Sequence, residues 1–72
     1  MRYISVFPTL TLAQKATRIL RSESIIAEVV KVDSTRTRRG CSWGTAFPES
    51  EIFRVRMVLS NNSMAEREII KE

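Results

Sequence analysis

The chain has no histidine, one cysteine, two glycines and two prolines in 72 residues. Without a second cysteine no intrachain disulfide can form. Without histidine the commonest metal ligand and the usual general base are both missing, which disfavours a structural zinc site and hydrolase chemistry. We therefore expect neither a metal nor another cofactor. Aromatics are also few: one Trp, one Tyr and three Phe. None sits in the paired pattern that stacks bases on a sheet, so RNA or DNA binding is disfavoured. Long apolar runs are lacking as well. The stretch that begins at Tyr3 stops at Pro8, too short for a signal-peptide core or a membrane span, and no membrane association is expected. One unpaired cysteine fits a reducing compartment, and the chain reads as cytoplasmic.

What is present suffices for one folded domain over residues 1–72. Hydrophobic residues make up 43% and charged residues 28% of the chain. A chain of this length buries only about 60% of the surface it exposes when unfolded, so its core is thin. With no disulfide or metal, packing or dimerisation must stabilise it. The net charge of +4 is unevenly spread, since Lys31, Arg36, Arg38 and Arg39 fall within nine positions against Asp33 alone. The basic character is thus expected in one loop.

Tyr3 to Phe7 is β-branched and aromatic-rich and closes at Pro8, which predicts a first strand. Thr9 or Thr11 then caps a helix, and Thr11 with Gln14 fits the capping-box spacing. Leu12, Ala16, Ile19 and Leu20 recur at helical spacing and are expected to be its buried stripe. A second strand is predicted over Ile25 to Val32, a polar loop over Asp33 to Ser42, and a third strand over Trp43 to Phe47. Pro48, Glu49 and Glu51 suit the start of a second helix, where carboxylates complement the helix dipole without any catalytic role. Ile52, Val55, Val58 and Leu59 supply its buried stripe, and Asn61-Asn62-Ser63 ends it. Met64 to Lys71 reads as a last strand. The order βαββαβ predicts a ferredoxin-like α+β fold, a four-stranded antiparallel sheet with two helices on one face. In that topology the first two strands run parallel, so the loop after the second lies near the start of the first helix.

That loop holds the one residue that stands out by its chemistry. It reads Thr35-Arg36-Thr37-Arg38-Arg39-Gly40-Cys41-Ser42-Trp43-Gly44. The thiolate is the reactive form of cysteine, and nearby arginines or a helix N-terminus favour it. Arg36, Arg38 and Arg39 supply the charge, Gly40 and Gly44 shape the loop, and Thr9 and Thr11 mark the helix N-terminus. A lone cysteine is also a frequent core residue, and the polar setting of Cys41 leaves the two readings balanced. Trp43, at the start of a strand, is expected to pack on the core rather than shield the sulfur.

The length, the element order and the segment Arg39-Gly40-Cys41-Ser42-Trp43-Gly44 followed by Phe47-Pro48 resemble the small bacterial proteins described as selenium/sulfur carrier-like. The resemblance runs from Tyr3 to about Ile70, though its motif is short. It implies that Cys41 carries a sulfur or selenium atom as a persulfide or perselenide. A single thiol can carry but cannot resolve its own intermediate, so a carrier is implied rather than an autonomous enzyme. Its partners are then a chalcogen donor protein and an acceptor protein. Two alternatives stay open: a small nucleic-acid- or phosphate-binding module that uses the loop arginines, and a structural interaction domain. A homodimer is compatible with each reading, since an uncovered sheet face or free edge invites pairing.

Overall fold

The computed structural model describes residues 1–33, 35, 42–64 and 68–72. The elements follow the order read from the sequence: β1 (Arg2–Phe7), α1 (Leu10–Ser22), β2 (Glu28–Val32), β3 (Ser42–Pro48), a 3-10 turn (Glu49–Glu51), α2 (Ile52–Asn61) and β4 (Glu68–Lys71). The four strands form one sheet in the order β2-β3-β1-β4, and every neighbouring pair is antiparallel. This is the ferredoxin-like arrangement. Because β1 and β2 both oppose β3, they run parallel to each other.

Strand alternation divides the side chains between two faces. Phe7 and Phe47 point to the helix side, where Ala13, Ala16 and Leu20 of α1 and Val55 and Leu59 of α2 bury against them. Tyr3 lies opposite Phe47 in the register, and the two rings meet tilted with centroids 6.4 Å apart. The other face is not the uncovered surface expected. Ile4, Val6, Val32 and Ala46 form a second apolar cluster there and are almost wholly buried, with Val30 and Ile70 packed against it. Burial of this face removes one incentive for face-to-face pairing.

Thr9, not Thr11, caps α1. Its backbone is extended and its Oγ1 accepts from the Leu12 N–H, while Thr11 lies exposed in the first turn. The buried stripe is also rotated from the expected one. Ala13, Ala16, Thr17 and Leu20 face the sheet, and Leu12 is partly exposed. Small residues at 13 and 16 let the helix approach β3 closely. The one polar member is satisfied: the Thr17 hydroxyl donates to the Ala13 carbonyl at 2.8 Å and lies 3.0 Å from the Thr45 hydroxyl. Ser5 is likewise buried on this side, but its hydroxyl has no hydrogen-bond partner among the described residues.

Both helices stop in the same way. After α1, Ile25 N–H donates to Leu20 O and Ser24 N–H to Arg21 O; after α2, Met64 N–H donates to Leu59 O and Ser63 N–H to Ser60 O. These are Schellman closures, in which the residue after the turn packs against the last turn of the helix. Ile25 with Leu20 and Met64 with Leu59 are buried accordingly. This explains why Ile25 and Met64 belong to the helix closures and not to β2 and β4. The left-handed position in each motif is occupied by serine, Ser24 at φ 63° and Ser63 at φ 57°. Glycine adopts that conformation without the Cβ penalty. Ser24→Gly and Ser63→Gly are each expected to raise the unfolding free energy by about 0.5–1 kcal/mol, read as a higher urea midpoint at unchanged slope.

At one end of the sheet Arg2 ties β1 to β2 and to the residue that follows β4. Its guanidinium pairs with Glu72 and, at 2.6 Å, with Glu28. Hydrogen bonds to Glu72 first, and then to Glu28, raise its pKa above the ordinary arginine value.

Candidate functional site

The edge where β1 and β2 end and β3 begins brings together the describable part of the predicted site. Ser42 opens β3 opposite Val32, and Trp43 lies between Phe7 and Lys31. Two residues beyond Phe7, Thr9 caps α1. The helix therefore starts at the edge where the chain re-enters the sheet, one residue past Cys41. Its first turn carries no acidic residue, so no side-chain carboxylate there offsets the positive end of the helix dipole. The N–H groups of the first turn have no carbonyl four residues back within the helix, and Thr9 supplies an acceptor for that of Leu12.

The side chains at this edge do several different things. Ser42 is buried and belongs to the strand rather than to the loop. Trp43 packs against the helix-side core, as expected, and the Lys31 ammonium sits 5.9 Å from its ring centroid. That is a cation–π distance. Gly44 also lies within β3, opposite Val6 and Val30, and is buried. A Cβ there would clash with Ile4 Cγ2 and lie 2.9 Å from the Ser5 carbonyl oxygen. The residue is glycine because strand packing admits nothing larger. Arg36, Arg38, Arg39, Gly40 and Cys41 lie outside the described residues.

Two surface features were not anticipated from the sequence. The first concerns charge. α1 carries Lys15, Arg18 and Arg21, α2 carries Arg54 and Arg56, and neither helix contains an Asp or Glu. The basic character is therefore shared by the helix layer and is not confined to the loop. The second is an apolar pair on α2. Phe53 is 79% and Met57 63% exposed, one turn apart and opposite the buried Val55 and Leu59. Both features had a signal in the sequence. The two helical segments lack acids, and Phe53 falls off the Ile52-Val55-Leu59 stripe.

Among the described residues no group of three or more His, Cys, Asp or Glu side chains could hold a metal ion, and no helix is long and apolar enough to cross a membrane. Compared with protein-family models, with curated proteins and with solved structures, the chain finds no match.

Proposed function

We propose that the chain is a sulfur or selenium carrier whose working group is the Cys41 thiolate. The observation that supports this most is the edge just described, where the residue after Cys41 enters β3 beside the strand that leads into α1. A helix N-terminus without first-turn acids favours a nearby anion, and Arg36, Arg38 and Arg39 add positive charge in the adjoining sequence. The step is an exchange. The Cys41 thiolate attacks the terminal sulfur of a donor protein's persulfide, a new S–S bond forms, and the donor's own S–S bond breaks. The electron pair leaves with the donor thiolate, and Cys41 holds the persulfide. A thiolate on an acceptor protein takes the terminal sulfur by the same exchange, and the selenium case is analogous. No net oxidant or reductant is consumed. This chemistry suits the cytoplasm, where a single thiol stays reduced.

The rate of iodoacetamide labelling against pH tests the reading. The midpoint is expected below about 8.5, the value of free cysteine, and to rise towards it when Arg36, Arg38 and Arg39 are all replaced by glutamine. A midpoint at or above that of free cysteine, or no labelling of the native chain, overturns it. The interaction-module reading has its own support, the basic helix layer with its exposed apolar pair.

A further inference from the structure

We propose that the outer surface of the two helices docks an acidic amphipathic helix of a partner protein, with Phe53 and Met57 as anchors. Phe53 and Met57 are the exposed apolar residues of α2, and a pair one turn apart matches the spacing by which a helix presents its anchors. Beside them is a shallow groove of about 260 Å³ lined by Glu23, Arg54, Met57, Val58, Asn61 and Asn62. Arg54 is already held, donating to Glu51 Oε2 at 2.6 Å and to the Glu23 carbonyl at 2.8 Å. The groove wall is thus set before any partner arrives.

Charge decides which occupant fits. Lys15, Arg18, Arg21 and Arg56 have no carboxylate partner among the described residues. Arg21 Nε donates instead to the Ala27 carbonyl at 2.8 Å. A second copy would bring the same cations to the same face, and like charges across an interface oppose association. A bilayer has no knob to enter a groove, and two apolar side chains bury too little area for firm membrane anchoring. A nucleic-acid strand needs successive aromatic platforms for its bases, and among the described residues Phe53 is the one exposed aromatic. A helix with apolar residues on one face and carboxylates on its flanks satisfies both the anchors and the cations that lack a carboxylate. The surface is independent of Cys41 and stands or falls apart from the carrier reading.

The test uses the whole chain as bait for a phage-displayed library of random peptides about 16 residues long, enough for roughly four helical turns. Enriched peptides are expected to be acidic, with apolar residues three or four apart. Synthetic copies should lose at least about tenfold in affinity on Phe53→Ser, Met57→Ser or Arg18→Glu, and none on Cys41→Ser. Phe53, Met57 and Arg18 are exposed, and circular dichroism of each variant checks that it folds. No enrichment, enrichment of basic or neutral peptides, or binding that survives Phe53→Ser overturns the proposal. So does binding of equimolar phosphatidylcholine–phosphatidylglycerol vesicles or of a single-stranded oligonucleotide that is lost in the same variants. Self-association abolished by Phe53→Ser overturns it in favour of a second copy.

Discussion

Replacing Gly44 by valine is expected to abolish the cooperative unfolding transition, and replacing it by alanine to cost about 2 kcal/mol. The added Cβ meets three groups that arrive from different directions: Ile4 Cγ2, the Ser5 carbonyl oxygen at 2.9 Å and Val32 Cγ2 at 3.3 Å. The two side chains could shift, but the carbonyl belongs to β1 and moves only with the strand. Alanine restricts the unfolded chain and recovers roughly 0.4–1 kcal/mol, which does not offset the clash. The whole chain has only about 4–11 kcal/mol of stability, so the larger valine leaves little margin. A double-mutant cycle in urea localises the cause. Ile4→Ala should cost less in the Gly44→Ala background than alone, because it vacates the space that the new methyl needs. Full additivity of the two losses would mean that the side-chain clash is not the source.

The second large effect contrasts two phenylalanines. Phe47→Ala is expected to cost about 3–5 kcal/mol, and Phe53→Ala less than about 0.5 kcal/mol. Phe47 is fully buried in the helix-side core and stacks obliquely on Tyr3, whereas Phe53 stands in solvent. Truncating Phe47 leaves a cavity in the thin core between the sheet and the two helices. That loss approaches the total stability of the chain. Urea unfolding of the pair checks the claim, and a loss on Phe53→Ala comparable to that on Phe47→Ala would contradict the burial assignment.

Most of the architecture was legible because it rests on period and punctuation. The stripe Ile52, Val55, Val58 and Leu59 identifies α2, and Asn62-Ser63 ends it where expected. What the sequence obscured has physical causes. Leu12 is more apolar than Ala13, yet close approach to β3 selects the smaller residue and rotates α1 by one position. Ile25 and Ile26 read as strand, but Ile25 is held by the helix closure and Ile26 is 80% exposed. The polar runs mark where both helices end, but serine in the left-handed position gives no sign that the next residue, Ile25 or Met64, belongs to the closure and not to the strand. The predicted site divided likewise. Ser42, read as the end of the loop, is a buried strand residue; Trp43 packs in the strand expected of it, Gly44 serves strand packing and not loop shape, and only Thr9 of the two threonines caps the helix.

The clamp at Arg2 has a practical corollary. The Glu72 N–H donates to the Arg2 carbonyl, so the two termini meet at one edge of the sheet. The edge at Trp43 and Thr9 lies at the other end of β1, about 17 Å away along the strand. A tether attached at either terminus therefore holds the domain from behind. It leaves the edge at Ser42 and Trp43, where the chain resumes after Cys41, facing away from the support, an orientation suited to immobilised exchange assays.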